Sequence, residues 1–314
     1  MSLDRYHVLL NSRSGAVRAL GVTPEGLAAR FERHGLDATI DGDLEGRVED
    51  RIARAAASDA EVIVAAGGDG TVTSVAERIL GTGKAIAILP LGTLNLLAKD
   101  LGVPLDIDAW FAALPGMTPK SIDVADVNGR IFLHKAVIGV LPDIAAARER
   151  IRGAGLLAKL RYLLYVFRRV ARSRRFALEV ITETGEKRIE RVHAIGVASN
   201  AYDEAFGHFM TRQRLDTGLM TLYKVSRSSP LGFLRLAAGM LAGRWRDDPS
   251  LHIQPAHSVT IRSRKPRLQV MIDGEIESLE TPLHFTIKHK ALPILAPPAR
   301  EAATDTEPKF AIAP

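Results

Sequence analysis

The stretch from Val62 to Thr71 constrains the fold of this 314-residue chain more than any other part of it. Five apolar residues run into Gly67-Gly68-Asp69-Gly70-Thr71, and a pattern of helical period follows. A buried strand that turns through glycines into a helix is typical of α/β folds. The glycines allow close backbone approach to a ligand, and the helix N-terminus attracts anions. We interpret the turn as a nucleotide-phosphate site; an ordinary surface turn is the alternative.

Two further glycine-bearing loops also follow apolar strands. Leu89 to Asn95 opens a helix, and Asn11 to Gly15 follows the first predicted strand. Because parallel strands end at the same edge of a sheet, we expect the three loops to converge on one nucleotide. The predicted nucleotide-binding residues are Asn11, Ser14, Gly15, Gly67, Gly68, Asp69, Gly70, Thr71, Gly92, Thr93 and Asn95.

The order of strand and helix patterns divides the chain in two. Strands and helices alternate between residues 6 and 127, which favours a doubly wound, mainly parallel α/β domain over residues 1–122. Successive strand patterns then predict an antiparallel β-sandwich with inserted helices over residues 123–290. Within it, 131–140 and 188–199 each read as one strand. Segment 291–300 is a candidate to return to the first domain, and 301–314 is predicted to be a disordered tail.

Composition excludes several kinds of protein. The hydrophobic fraction of 46% and the charged fraction of 25% are those of a soluble globular chain. The absence of cysteine excludes disulfides, thiolate nucleophiles and cysteine-ligated metals. No signal peptide and no apolar run of about 18 residues is present, so we expect a cytoplasmic protein without a spanning helix. Aromatic residues are not interleaved with cations, which disfavours nucleic-acid binding.

Much of the excess positive charge lies in one segment. Residues 148–175 contain ten Lys and Arg residues and one acid, within a net charge of +6. From Leu156 to Phe167 the apolar residues fall on one helical face, which predicts an amphipathic basic helix on the anionic inner face of a membrane. The alternative is a helix packed on the sandwich with a solvated charged face. A second helix, Leu231 to Leu241, would line a lipid entrance or belong to the core; we slightly favour the core.

The three loops, in this order, resemble the catalytic domain of the diacylglycerol kinase family, which includes bacterial lipid kinases and the sphingosine and ceramide kinases. The resemblance spans about residues 6 to 297. It implies an active site in the cleft between the α/β domain and the sandwich. The matching residues are Asn11, Ser14-Gly15, Gly67 to Thr71, Pro90, Gly92-Thr93, Asn95 and Asp273-Gly274-Glu275.

The resemblance also implies catalytic roles. Asp273 would be the general base that takes the proton from a lipid hydroxyl as ATP donates its γ-phosphate, a contribution of about 10²- to 10⁴-fold. Asp69 and Glu275 would join an acidic network that holds Mg²⁺ or its waters, and Asp216 is a candidate ligand of a structural Mg²⁺. Taken alone, Asp273-Gly274 would favour an ordinary hairpin turn; the other matching motifs reverse that preference.

The chain departs from the family pattern at four places. Leu96 stands where the family commonly has an aspartate, and Thr73-Ser74 stands where it commonly has Asn-Glu. Thr217 occupies the slot of a metal-binding aspartate, with Asp216 one place early. Asp41 occupies the position of a nucleotide-contacting threonine. One acidic member of the predicted network is therefore missing.

An ATP-dependent lipid kinase is the leading hypothesis, with a diacylglycerol-like lipid, a sphingoid base or ceramide as acceptor. A soluble-metabolite kinase of NAD-kinase type is the first alternative, since such enzymes also carry Gly-Gly-Asp-Gly. A non-catalytic lipid- or nucleotide-binding protein is the second. Exposed edge strands of the sandwich would also allow a homodimer.

Overall fold

A computed structural model describes residues 5–12, 14–43, 45–139, 155, 161, 165–166, 168–169, 175–182, 185–204, 211–226 and 230–298. Most of the basic segment 148–175 and the whole of the tail 301–314 lie outside the described residues. The predicted membrane helix at Leu156 to Phe167 therefore stays a prediction. No helix in the described ranges is both long enough and apolar enough to cross a bilayer.

The first domain alternates strands and helices as predicted. Its strands are β1 (Arg5–Leu10), β2 (Asp37–Asp41), β3 (Val62–Gly67) and β4 (Ala85–Pro90). Its helices are α1 (Gly15–Leu20), α2 (Pro24–Arg33), α3 (Val48–Ala57), α4 (Asp69–Ile79), α5 (Leu96–Asp100) and α6 (Ile107–Ala113), followed by a 3-10 turn at Leu114–Gly116. The strands pair in parallel in the order β2-β1-β3-β4. β3 and β4 are buried along their whole length, which explains their continuous apolar sequences.

Two long strands carry the sheet from one domain into the other. They are β5 (Thr118–Val127) and β16 (Leu283–Ala296), which pair antiparallel with a register shift between Lys288 and Leu292. After the shift, Ile294 of β16 pairs in parallel with Ile86 of β4. The α/β sheet and one sheet of the sandwich are consequently a single ten-stranded sheet.

In the parts of the second domain that the structure describes, ten shorter strands and one helix have assigned bounds. They are β6 (Arg130–Phe132), β7 (Lys135–Gly139), β8 (Phe176–Thr182), β9 (Lys187–Val192), β10 (Ala194–Ser199), β11 (Met220–Val225), α7 (Pro230–Ala242), β12 (Leu251–Ala256), β13 (Ser258–Arg262), β14 (Arg267–Ile272) and β15 (Glu275–Glu280). A six-stranded antiparallel sheet, β12-β11-β10-β7-β14-β15, packs on the far end of the ten-stranded sheet. Phe132 and Phe285 lie in the core between them. The predicted fold class, α/β followed by a β-sandwich, is confirmed.

Two strands that the sequence predicted as continuous are broken, and those predictions were wrong. The segment 131–140 divides into β6 and β7, and 188–199 divides into β9 and β10 at His193. In both cases the two halves belong to different sheets, so the chain crosses the sandwich where the strand ends. The sequence also missed β12, which contains Pro255, and β15, an acidic edge strand; both compositions are atypical of strands.

A buried ion pair joins the two domains. Asp100, at the end of α5, accepts hydrogen bonds from the backbone N–H and Nε of Arg212, at 3.0 and 2.8 Å. Nη1 of Arg212 donates to the carbonyl oxygens of Leu133 and Ser199, at 2.7 and 2.6 Å. Both side chains of the pair are at most 1% exposed. Burial raises the pKa of Asp100, and the guanidinium opposes that shift.

We expect Arg212→Met to destabilise the chain by about 3–5 kcal/mol, because it leaves the Asp100 carboxylate buried without its cation. Arg214→Met is the matched control: its guanidinium is 71% exposed and approaches Asp216 only to 3.8 Å, so its loss should cost less than about 1 kcal/mol. Urea unfolding of the two variants measures the difference. Equal losses in both would show that the buried pair does not hold the domains together.

Candidate active site

The three glycine-bearing loops lie side by side at the carboxyl ends of β1, β3 and β4. Nδ2 of Asn11, in the first loop, donates to Oγ1 of Thr71 in the second, at 2.9 Å. Oγ of Ser14 donates to the carbonyl oxygen of Leu91 in the third. The first loop is thus hydrogen-bonded to both of the others, as expected for loops that converge on one ligand.

Glycines are required where these loops touch. A Cβ atom on Gly92 would collide with Cα of Gly68, and a Cβ on Gly67 would collide with the side chain of Thr71. Gly68 is the N-cap of α4 and contributes no capping side chain. The first-turn N–H groups of α4 are therefore in the position where helices bind anions.

Two of the predicted ligand-binding side chains also hold the loops in shape. Asn95, with φ +48°, accepts a hydrogen bond from the N–H of Gly92 and donates to the carbonyl oxygens of Pro90 and Gly92. Oδ1 of Asp69 accepts the N–H of Leu96 at 2.7 Å. Only the backbone of Leu96 takes part, so this contact survives the departure from the family's aspartate at that position.

Asp273 lies in the two-residue turn between β14 and β15, with φ +45°. Its Oδ1 accepts the N–H groups of His134 and Lys135, at 3.0 and 2.9 Å. Its Oδ2 accepts the N–H of Leu133 at 2.8 Å and the hydroxyl of Thr73 at 3.2 Å. Burial raises the pKa of Asp273, and the three backbone donors oppose that rise. Asp273 thus lies in a hairpin turn and also contacts the residues of the predicted site, so the two interpretations of Asp273-Gly274 do not exclude each other.

The hydrogen bond from Thr73 places α4, and with it the glycine turn from Gly67 to Thr71, against Asp273. Glu275 reaches the same helix, with Oε1 3.6 Å from where a Cβ on Gly70 would stand. Asp69 and Glu275 therefore flank Gly70 from opposite domains. Sequence analysis noted Thr73 only as a departure and did not predict this contact.

Two carboxylates suit Mg²⁺ in this place. Within the described residues, no three His, Cys, Asp or Glu side chains gather around a common metal position. Mg²⁺ is usually held by one or two carboxylates together with substrate phosphates and water, so Asp69 and Glu275 would suffice. The other predicted ligand, Asp216, lies instead 3.6 Å from the ammonium of Lys290 and 3.8 Å from the guanidinium of Arg214.

Asp123 is a fully buried carboxylate near Thr217 that sequence analysis missed. It accepts hydrogen bonds from Nδ2 of Asn200, the N–H of Gly218, Nδ1 of His289 and the N–H of Lys290, at 2.6–2.9 Å. Protein donors thus occupy the oxygens of this carboxylate, which lies beside the segment where the family resemblance places a structural Mg²⁺.

Asp41, which occupies the position of the family's nucleotide-contacting threonine, binds arginine side chains of the protein itself. Its Oδ2 accepts Nε of Arg51 at 3.1 Å and Nη2 of Arg54 at 3.4 Å, and its Oδ1 accepts the N–H of Asp43. The carboxylate and the Arg51 guanidinium are both almost completely buried. This ion pair fixes the end of β2.

Lys135 is a second residue that sequence analysis missed. Its backbone N–H binds Asp273, and its ammonium lies 5.8 Å from the centre of the Tyr202 ring. Burial lowers the pKa of Lys135 to about 8; Asp273 opposes the shift and Arg212 adds to it. His134, beside it, contacts the Tyr202 hydroxyl at 2.7 Å, and burial keeps its imidazole neutral by lowering its pKa. No motif marks this cation, because only the fold brings it to Asp273.

We expect Lys135→Met to stabilise the chain at pH 7, by up to about 3 kcal/mol, because the ammonium resists burial. Below pH 8 the lysine is charged in both the folded and unfolded chains, so its full cost is present. Between pH 8 and about 10.5 only the unfolded chain holds the proton, and wild type gains stability.

The difference in free energy of unfolding between the Met variant and wild type should therefore shrink with rising pH. Lys135→Arg stays charged, so it should become less stable than wild type over the same interval. Urea unfolding between pH 7 and 10 measures both. A stability difference between Lys135→Met and wild type that stays constant with pH would contradict the lowered pKa of Lys135.

Family models match both domains of the chain in order. Residues 5–127 match the diacylglycerol kinase catalytic domain, and residues 138–296 match the YegS C-terminal NAD kinase beta sandwich-like domain. A diacylglycerol kinase of Bacillus subtilis is 23% identical over 80% of this chain and 82% of its own length. A Pseudomonas aeruginosa protein named "Probable lipid kinase YegS-like" is 45% identical over 101 residues, 32% of each chain. This chain thus matches about a third of that relative's length.

Solved structures agree on the fold. A diacylglycerol kinase structure from Bacillus anthracis superposes with a TM-score of 0.65 at 19% identity, covering 95% of this chain and 98% of its own. Another structure from that organism reaches a TM-score of 0.72 at 23% identity, covering 95% and 99%. Because the second family model alone matches just over half of the residues and the first matches the domain before it, the chain belongs to the YegS-like and diacylglycerol kinase family of lipid kinases.

Proposed function

We propose that this chain is an ATP-dependent lipid kinase that transfers the γ-phosphate to a hydroxyl group of a membrane lipid. One observation carries the proposal: the hydroxyl of Thr73, in the first turns of α4, lies 3.2 Å from Oδ2 of Asp273. The glycine turn that opens α4 and a partly buried carboxylate of the other domain thus lie within one hydrogen bond of each other. Phosphoryl transfer needs this arrangement, because donor and acceptor must be positioned in line.

The α/β domain supplies the nucleotide side of the site. The glycine loops and the start of α4 would bind the phosphates of ATP, with Asn11 and Ser14 holding the loops together. Asp69 and Glu275 would hold Mg²⁺, which neutralises charge on the phosphates when bound. Residues that stabilise the loops are part of the binding site in this view, because a fixed loop exposes its N–H groups without reorganisation.

Asp273 would act as the general base through one of its two oxygens. Each carboxylate oxygen accepts about two hydrogen bonds, and both positions on Oδ1 are filled by backbone N–H groups that the fold holds in place. On Oδ2 the longest bond is the one from Thr73, whose hydroxyl rotates freely. The lipid hydroxyl would replace Thr73 as donor to Oδ2 and give up its proton there. Burial makes Asp273 a stronger base than an exposed aspartate.

The acceptor would reach Asp273 from a membrane surface. Lys135, at the start of β7, lies next to Asp273 and would place a cation near the polar headgroup of the lipid. The basic segment 148–175 would attract the anionic inner face of the membrane, at about 1 kcal/mol per cation near the surface.

Transfer of labelled γ-phosphate from ATP-Mg²⁺ to a panel of lipids in anionic micelles tests this function. The panel holds diacylglycerol, phosphatidylglycerol, sphingosine and ceramide, with NAD as the soluble acceptor. We expect one labelled lipid, and a loss of about 10²- to 10⁴-fold in Asp273→Asn. Asp126→Asn is the matched control, because Asp126 also accepts a backbone N–H in a hairpin, from Gly129.

Folding and ATP binding of both variants are checked by unfolding and by calorimetry. Labelled NAD instead of lipid would establish a soluble-metabolite kinase. ATP binding without any labelled product would establish a non-catalytic sensor.

A second variant tests how Asp273 receives the proton. If the lipid hydroxyl replaces Thr73 on Oδ2, Thr73→Val should keep transfer within about threefold of wild type, because no proton passes through the lost hydroxyl. Thr73→Ser should behave in the same way. A loss in Thr73→Val as large as that in Asp273→Asn, with rescue by serine, would show instead that the Thr73 hydroxyl relays the proton.

A further inference from the structure

Helix α7 is apolar on both of its sides, and the described structure buries only one. Leu236 is buried and Met240 packs beside it, against Trp245 and Tyr223 on the outer side of the six-stranded sheet. On the other side the exposed leucines are Leu231, Leu234 and Leu241, at 76%, 50% and 68%. A helix that is apolar all round is normally covered on all sides. The expectation that this helix belongs to the core thus holds for one face only.

The exposed face is held firmly in place. The N–H of Arg244 donates to the carbonyl oxygen of Gly239 at 2.8 Å, and a Cβ on Gly239 would stand 2.8 Å from the carbonyl oxygen of Arg244. Oε1 of Glu204 accepts the N–H groups of Trp245 and Arg246 in the turn that follows the helix. Arg235 pairs with Asp248 at 2.9 Å, which ties the middle of α7 to the same turn. The leucines are therefore presented outward by a fixed helix.

Arginines, and no acidic residue, lie within the helix and the turn that ends it. Residues 230–246 contain Arg235, Arg244 and Arg246, while Asp247 and Asp248 follow and Asp248 pairs with Arg235. Arg235 and Arg244 are themselves exposed. A leucine-rich face bordered by arginines is the composition of helices that lie in the interface of anionic membranes. A second copy of the chain fits less well, because a two-fold interface centred here would set these arginines close to their own copies.

We propose that α7 is a membrane-insertion element, whose three exposed leucines enter the bilayer while its arginines contact anionic lipid headgroups. The inference deepens the proposed function, since it states where the enzyme meets the membrane that holds its acceptor. It is separate from the basic segment 148–175, which would attract the membrane by charge without placing apolar side chains in it.

The position of α7 relative to Asp273 supports this role. The helix packs on Tyr223, whose hydroxyl accepts the N–H of Tyr202 at 2.8 Å. Tyr202 in turn contacts His134 and lies under the ammonium of Lys135, and the N–H groups of both residues bind Asp273. The contacts that lead from α7 to Asp273 thus run through Tyr223, Tyr202 and the segment 134–135 on the outer side of the sheet.

Because the chain contains no cysteine, single cysteines can report on insertion directly. We would label Leu234→Cys and Leu241→Cys with an environment-sensitive fluorophore and add phosphatidylcholine vesicles with and without phosphatidylglycerol. The controls are Leu105→Cys and Ile189→Cys. Both residues lie outside α7, and they are 48% and 78% exposed. We expect a blue-shifted and stronger emission only for the α7 labels and only with the anionic vesicles. Unchanged α7 labels, or an equal shift at the controls, would overturn the proposal.

Vesicle sedimentation tests the same surface without labels. Leu231→Ser, Leu234→Ser and Leu241→Ser combined should weaken binding to anionic vesicles by at least about 100-fold, since three inserted side chains are lost. The control combines serines at Leu20, Leu105 and Ile189, all exposed, and should bind like wild type. Equal binding of the two triple variants would overturn the proposal. An α7 triple variant that still binds vesicles but no longer self-associates would also overturn it.

Activity separates this inference from the proposed function. The α7 triple variant should phosphorylate a short-chain, dispersed acceptor at the wild-type rate and lose activity only on vesicles. A wild-type chain that phosphorylates no lipid would refute the kinase, while the fluorescence result would still decide the role of α7. An α7 variant that is equally active on vesicles and on dispersed acceptor would refute insertion and leave the kinase in place.

Discussion

The carboxylate of Asp273 is the interaction that joins the crossing between the two sheets of the sandwich to helix α4 of the first domain. A carboxylate that is partly removed from water is costly without donors, and this one receives four: the N–H groups of Leu133, His134 and Lys135 where the chain passes from β6 into β7, and the hydroxyl of Thr73 on α4. The N–H groups of Leu133 and His134 are available because the chain leaves one sheet there and enters the other. The break in the strand, the crossing of the sandwich and the docking of α4 therefore share one cause.

Leu133 connects this contact to the second buried charge at the domain boundary. Its N–H donates to Asp273, and its carbonyl oxygen accepts from Arg212, which pairs with Asp100 on α5. The path from α4 to α5 thus runs through Thr73, Asp273, Leu133, Arg212 and Asp100, and crosses between the domains twice. Two polar contacts of this kind at the domain boundary limit the movement of the groups that they join, and polar groups held in this way can stabilise charge without reorganisation.

The sequence predicted what is encoded locally. Apolar runs that end in glycines predicted the parallel strands and the three loops, because the close backbone approach leaves no room for a Cβ atom at Gly92 and little room at Gly68. The sequence did not predict features that depend on contacts between residues far apart in the chain. Nothing near residue 133 indicates that its N–H will bind a carboxylate 140 positions away, so 131–140 read as one strand. Lys135 and Asp123 were missed for the same reason, since their partners come together only in the folded chain.

The local rules that the chain violates lie beside its site. A lysine on a mostly buried strand and an aspartate at positive φ are both unfavourable when taken alone. Together they are less so: the Asp273 carboxylate counteracts the effect of burial on the pKa of Lys135, and the ammonium in turn favours the ionised carboxylate. Burial acts in the opposite direction and makes the carboxylate more basic. Burial and the neighbouring ammonium thus act on the pKa of this carboxylate in opposite directions, and a core optimised for stability alone would keep neither residue.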